Sequence, residues 1–156
     1  MFDGPNRPGE DRRPMEELIE IERIKQLKAR YFRTMDGKDW KGMRQVFTDD
    51  VVMDTTDSGG NVIEGADAFM EFLEPTLGDA VTVHQGHMPE IELTSGTTAR
   101  GIWALQDTIL WPNGTRMVGY GHYHETYEKD ATGEWRIASS TLTRLHMDVT
   151  PAPREP

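Results

Sequence analysis

No cysteine occurs among the 156 residues, so disulfides, thiol nucleophiles and thiolate metal sites are all excluded. Long apolar runs are missing as well. Nothing approaches the roughly 20 consecutive apolar residues that a membrane-spanning helix needs, and no membrane is expected as a partner. The opening Met1-Phe2-Asp3-Gly4-Pro5-Asn6-Arg7-Pro8 lacks the basic-then-apolar layout of a secretory signal, so a cytoplasmic location is expected. Positive charge is scarce: 17 Lys and Arg stand against 27 Asp and Glu, for a net charge of −10. Such a surface repels phosphate backbones, so nucleic acid is not an expected partner either. No phosphate-cradling glycine loop and no Gly-x-Ser-x-Gly elbow occurs. Gly119-Tyr120-Gly121 lies inside a strand pattern and is neither.

What is present begins with a helix. Residues Met1 to Pro14, rich in Gly, Pro and charge, are expected to form a disordered arm. From about Met15, Leu18, Ile21, Ile24, Leu27, Tyr31 and Met35 recur at spacings of three and four and define one apolar stripe. Glu16, Glu17, Glu20, Lys25, Lys28 and Arg30 are expected to face water. Gly37 is expected to stop the helix as a left-handed cap. Asp39 can cap a short second helix from Trp40 to about Phe47. Val51-Val52-Met53 reads as a short strand. A turn at Asp57-Ser58-Gly59-Gly60-Asn61 and a return strand at Val62-Ile63 follow. Gly65 to Leu77 has helical character, interrupted by Pro75.

The period then changes to that of long strands: Val81 to Leu93, Thr97 to Trp111, Arg116 to Lys129 and Trp135 to Met147. Gly86 and Pro89 predict a bulge in the first of these. The stretch 148–156 should be a flexible tail. Helices first and an antiparallel meander second make an α+β plan, with a single domain over 15–147.

Three polar residues draw notice. Asp36 sits in the last turn of the first helix, where the negative end of the macrodipole disfavours a carboxylate. Pattern alone reads it as a solvated acid beside a turn, but its placement calls for a cation or an imidazole. His84 shares a strand face with Thr82, opposite Val81 and Val83. Tyr31 lies on the apolar stripe, so its hydroxyl needs a partner or a cavity. An Asp–His pair fixes the imidazole tautomer, and a buried Tyr hydroxyl can donate to a developing oxyanion. Together they suit proton abstraction beside a carbonyl. His122 and His124 share a face of the third long strand and, with His84 and an acid, offer a second possibility, a metal site. No metal is the favoured expectation. Arg144, on the fourth long strand, is a candidate partner for Asp107 or Glu125, or for an anionic substrate group.

Several runs also resemble a known family. Ile24-Lys25-Gln26-Leu27-Lys28-Ala29-Arg30-Tyr31-Phe32 with Met35-Asp36-Gly37-Lys38-Asp39-Trp40 is one. His84-Gln85-Gly86-His87-Met88-Pro89-Glu90-Ile91, Gly101-Ile102-Trp103-Ala104-Leu105-Gln106-Asp107 and Gly133-Glu134-Trp135-Arg136-Ile137 are the others. Over roughly Glu17 to Met147 the chain resembles SnoaL-like proteins. Among them it is most similar to bile-acid 7α-dehydratases and, more distantly, to scytalone dehydratases. The resemblance implies a cone-shaped, curved mixed or antiparallel β-sheet wrapped around N-terminal helices, the cystatin-like α+β barrel of the nuclear transport factor two-like fold. It implies a cofactor-free dehydratase or isomerase acting on an apolar hydroxy- or oxo-substrate, steroid-like or polycyclic. A homo-oligomer, trimer or dimer, is implied too. Carried over by motif position, Tyr31, Asp36 and His84 are the catalytic set. Met35, Trp40, Met53, Trp103, Leu105, His122 and Arg144 are expected around the substrate. Thr55 departs from the dehydratases, which carry a tyrosine there, and that puts the bile-acid substrate in doubt. The alternative is a non-catalytic small-molecule-binding or assembly module of the same fold.

Overall fold

The computed structural model describes residues 12–152. Helix α1 spans Arg12–Asp36, three residues earlier at its start than the periodicity predicts. The rest of the expected N-terminal arm lies outside the described residues. Ile24, Leu27, Tyr31 and Met35 are buried as the stripe requires, each worth roughly 1.5–3 kcal/mol. Leu18 is not: it is 61% exposed, because the sheet covers only the C-terminal part of α1. Lys28 corrects the reading in the other direction. It is fully buried, since it follows Ile24 by four residues and precedes Tyr31 by three, which puts it inside the stripe.

The end of α1 also differs from expectation. Gly37 is not the left-handed residue; Lys38 is, at φ 57°. Asp39 does cap α2, Trp40–Arg44, accepting from the Gly42 N–H at 2.9 Å. This helix stops before Phe47, which instead opens strand β1, Phe47–Asp54. A turn of 3-10 helix at Thr56–Ser58 leads through Gly59, left-handed at φ 80°, to β2, Val62–Glu64. Helix α3, Ala66–Leu77, accommodates Pro75 in its last turn.

Four long strands follow: β3 (Val81–Leu93), β4 (Thr98–Leu110), β5 (Arg116–Lys129) and β6 (Trp135–Thr150). The expected tail therefore begins later than 148, because Asp148, Val149 and Thr150 still pair with Val118, Met117 and Arg116. The sheet order is β2-β1-β6-β5-β4-β3. Only β1 and β6 run parallel; every other pairing is antiparallel. Register shifts between His87 and Glu90, between Tyr120 and Gly121, and between Thr126 and Tyr127 bend the sheet.

The architecture is α+β, with N-terminal helices held in a curved, open six-stranded mixed sheet. Strand β3 is an edge, and α1 packs chiefly against it. Gly86 makes that approach possible: a Cβ there would sit 2.7 Å from the Phe32 ring.

Candidate active site

The junction of α1 with β3 builds the site. Asp36 is the last residue of α1, and β3 presents Thr82 and His84 to it by strand alternation. The His84 imidazole Nδ1 lies 2.7 Å from Asp36 Oδ1. Because β3 is an edge strand, its outward backbone N–H is free, and His84 N–H donates to Asp36 Oδ2 at 2.8 Å. The Thr82 hydroxyl donates to Oδ1 at 2.9 Å and accepts from Lys38 Nζ at 2.8 Å. These donors answer the question of Asp36's unfavourable helix position. Burial works to raise its pKa, but the bonds from the His84 ring and backbone, the charge of His84 and the Thr82 hydroxyl outweigh burial. They hold the carboxyl below its ordinary value.

A carboxylate only accepts, so Nδ1 carries a proton, and in the neutral imidazole the lone pair is on Nε2. Among the described residues, Nε2 has no hydrogen-bond partner.

The depressed carboxyl makes a prediction. A group whose folded pKa is lowered contributes stability above its unfolded pKa and loses it as pH falls through the folded value. The stability gap between wild type and Asp36→Asn should therefore narrow from about pH 5 to about pH 3. Urea unfolding across that range checks it, and a gap that stays constant would refute it.

His84 lines a cavity of 340 Å³ that opens between α1, α3 and the inner face of the sheet. Tyr31, Tyr123, Asp107 and Arg144 are among its other polar residues, together with Asp54, Ser58, Asn61, Thr76 and Ser140. Met35, Met53, Phe69, Phe72, Leu73 and Trp111 supply much of its apolar wall. Thr55 and the glycines at 59 and 60 come in from the β1–β2 connection. A larger groove of 610 Å³ crosses β3, β4 and β5 at Glu90, Arg100 and His124, and contains none of Tyr31, Asp36 or His84.

Tyr31 and Tyr123 meet edge to face, with ring centroids 6.0 Å apart. Burial first, and the Glu125 charge second, push the Tyr31 phenol up from its ordinary value; burial and the Tyr31 neighbour do the same to Tyr123. Both phenols thus keep their protons at neutral pH and can only be donors to a bound oxyanion. Arg144 pairs with Asp107 through both carboxylate oxygens, at 2.8 and 2.7 Å, and its Nε donates to Ser58 Oγ at 2.7 Å. Its guanidinium is thereby committed to protein, so it does not stand free for an anionic substrate group.

Four residues expected around the substrate do not line this cavity. His122 projects from the other face of β5, since strand side chains alternate and Tyr123 faces inward. Trp103 is buried with its indole N–H donating to the Tyr127 hydroxyl at 2.8 Å. Leu105 is buried in the core. Trp40 starts α2 beside Lys38, 5.9 Å from its ammonium. Asp36 itself stands behind His84 and outside the lining. The sheet also separates His84, on its inner face, from His122 and His124, whose rings lie 6.2 Å apart on the outer one. Among the described residues no cluster of three or more His, Asp or Glu has a metal-holding arrangement.

Tyr123 is not among the candidate site residues that the sequence offers, and the sequence does not by itself pair Thr82 with Asp36. The signal was present in the alternation: Thr82 shares a face with His84, and Tyr123 shares the buried face of β5 with Met117 and Glu125.

Comparison with known proteins places this geometry. The family model for a SnoaL-like domain matches residues 16–141. A structure of Rv3472, a protein of unknown function from Mycobacterium tuberculosis, is 29% identical, with a TM-score of 0.74 over 85% of this chain and 75% of that one. A proposed scytalone dehydratase from Novosphingobium aromaticivorans is 20% identical, with a TM-score of 0.76 over 88% and 91%. A type 2 hexachlorocyclohexane dehydrochlorinase is 15% identical, with a TM-score of 0.78 over 92% and 97%. At those last two identities the likeness is one of fold.

Proposed function

The chain belongs to the SnoaL-like domain family, and from that premise we propose that it is a cofactor-independent dehydratase or isomerase using Tyr31, Asp36 and His84. The observation that carries the proposal is the bond from His84 Nδ1 to Asp36, which leaves Nε2 as a base beside two protonated phenols in one cavity. The fold-level neighbours that carry dehydratase and dehydrochlorinase names lend support, since both names describe loss of a small molecule across a carbon–carbon bond.

Nε2 removes a proton from the carbon beside a carbonyl. The C–H electrons move into a new C=C bond and the carbonyl electrons onto oxygen. Tyr31 donates a hydrogen bond to that oxygen, and Tyr123 stands close enough to share the task. Collapse of the enolate either returns the proton to another carbon, giving isomerisation, or expels a β-hydroxyl that takes the proton from the imidazolium, giving water. The negative charge of Asp36 stabilises the imidazolium throughout.

The substrate in this reading is an uncharged, apolar hydroxy- or oxo-compound, steroid-like or polycyclic. The apolar wall from α3 and the prior commitment of Arg144 to Asp107 both favour it. No helix among the described residues is long and apolar enough to cross a membrane; action in the cytoplasm is part of the proposal. So is self-association. Val81, Val83, Ile102, Leu110 and Tyr120 are exposed on the outer face of the sheet, a surface that a second copy would cover. A monomer in sedimentation at micromolar concentration would remove that part.

The experiment that tests the reaction is deuterium exchange. Uncharged 3-oxo-4-ene steroids and polycyclic β-hydroxy ketones are incubated with the protein in heavy water and followed by NMR. Exchange beside the carbonyl, or loss of water, is expected above the buffer rate, and it should weaken in Asp36→Asn. Ligands that bind, return unchanged and ignore Asp36→Asn would favour a binding module instead.

A further inference from the structure

The reaction described above makes no use of Lys28, yet among the described residues it is unusually placed. A lysine normally runs its stem along apolar surface and puts its ammonium in water. Lys28 is fully buried, and its Nζ lies 2.5 Å from Glu125 Oε1. The same nitrogen lies 3.6 Å from the centre of the Tyr123 ring, 4.0 Å from that of Tyr31 and 5.0 Å from that of Phe32.

Glu125 is held from its far side. Ser140 Oγ donates to Oε1 at 3.1 Å, and the Tyr127 hydroxyl donates to Oε2 at 2.6 Å. Tyr127 in turn accepts from Trp103 at 2.8 Å. The carboxylate is thus locked in place, and it locks the ammonium against the two ring faces. Those two rings belong to tyrosines that line the same cavity as His84.

Stability alone does not account for this arrangement. A buried ion pair generally gains nothing over apolar residues of the same volume. A cation on the face of a phenol, in contrast, has an electronic effect. It draws density from the ring and makes the O–H a stronger donor, and desolvation keeps that pull from being screened. The Lys28–Glu125 dipole has its positive end on the rings, where the ammonium opposes the upward push that the Glu125 charge gives the Tyr31 phenol.

We propose that Lys28 is a positioning residue of this site: its ammonium, anchored by Glu125, fixes the Tyr31 and Tyr123 rings and polarises their hydroxyls toward the oxygen of a bound substrate. The consequence for turnover rests on the proton-transfer reading above; the polarisation of the rings does not.

Lys28→Met alone would strand a buried carboxylate, so the test variant is Lys28→Met combined with Glu125→Gln, which removes both charges at nearly constant volume. Its folding is checked by circular dichroism and thermal melting against wild type. The first readout needs no ligand. With ring-labelled tyrosine, the carbon resonances of Tyr31 and Tyr123 are followed by NMR and assigned through Tyr31→Phe and Tyr123→Phe, with exposed Tyr120 as the internal control. Both are expected to move while Tyr120 stays. The second readout is kinetic, on whichever ketone exchanges deuterium: kcat should fall about tenfold with KM little changed, the pattern of an interaction made in the transition state. A folded double variant whose Tyr31 and Tyr123 resonances stay in place would overturn the proposal, and so would moved resonances with unchanged kcat. Moved resonances in a protein that exchanges nothing even as wild type would support the polarisation while sinking the proton-transfer reading, so the two failures are distinguishable.

Discussion

Arg144→Met is expected to destabilise the protein by about 3–5 kcal/mol, the cost of leaving one member of a buried ion pair without its partner. The side chains of Arg144 and Asp107 are only 8% and 4% exposed, and two parallel bonds join them. The charge of Asp107 would remain in the cavity wall with nothing to meet it. The same substitution removes the bond from Nε to Ser58, so the turn at Thr56–Ser58 loses its side-chain tether to β6, although Asp57 still accepts from the Arg144 backbone N–H at 2.5 Å.

Lysine should not rescue the variant fully. One ammonium cannot span both Asp107 oxygens and Ser58 as the guanidinium fork does. Space at this point is also tight in a way only glycine allows: a Cβ at position 119 would fall 2.3 Å from both Arg144 Nη1 and Asp107 Oδ1. The double variant Arg144→Met with Asp107→Asn removes both charges, and it should recover much of the loss. Urea unfolding of the three variants measures this. A single-variant loss below about 1 kcal/mol, the scale of an exposed pair, would mean that the pair is solvated in practice.

The pair also illustrates what the sequence could and could not convey. Arg144 was readable as a partner for Asp107 or Glu125, because charged residues on inward-facing strand positions must find each other. Which acid it takes was not readable, since that depends on the strand order β6-β5-β4 and on the registers between them. The structure gives Asp107 to Arg144 and Glu125 to Lys28.

Lys28 shows the opposite failure. Periodicity places it inside the stripe of α1, but residue type argues for water. The partner that overrides the argument, Glu125, lies 97 residues away. No local pattern could supply it.

Long strands and the main helices were legible because their periods of two and near four are sustained over many residues. Element ends were less so. Lys38, not Gly37, turns left-handed, and β6 runs to Thr150 because β5 offers Arg116 as a partner. The α1–β3 junction was legible in part. Asp36, His84 and Tyr31 could be singled out by chemistry, and the bond from Asp36 to His84 explains the acid at a helix C-terminus. His122 is expected at the pocket, but strand alternation against the buried Tyr123 points it outward.

His84→Ala should produce the largest kinetic effect of any single change, a loss of about 10²–10⁴ in exchange or dehydration rate, the usual contribution of a general acid–base group. The bond directions set the size of the loss. Asp36 receives Nδ1–H, so the only lone pair the imidazole can offer is on Nε2, and His84 is one of the residues facing the cavity. Alanine removes that lone pair without disturbing the Asp36–Thr82 bond, so the fold should survive. Both kcat and kcat/KM should fall together, because the proton transfer exists only in the transition state.

Asp36→Asn should cost less than His84→Ala. Its amide oxygen can still accept from Nδ1–H and hold the tautomer, while the negative charge that stabilises the imidazolium is lost together with the acceptor that Oδ2 offers the His84 backbone N–H. Tyr31→Phe should fall between these extremes, because Tyr123 remains to donate beside it. The order His84→Ala, then Tyr31→Phe, then Asp36→Asn is therefore the signature of a base at Nε2 with a two-phenol oxyanion site. It is read from initial rates on one exchanging ketone at fixed pH. A His84→Ala protein that exchanges deuterium as fast as wild type would take the imidazole out of the chemistry, and would leave the cavity as a place where apolar molecules bind without being changed.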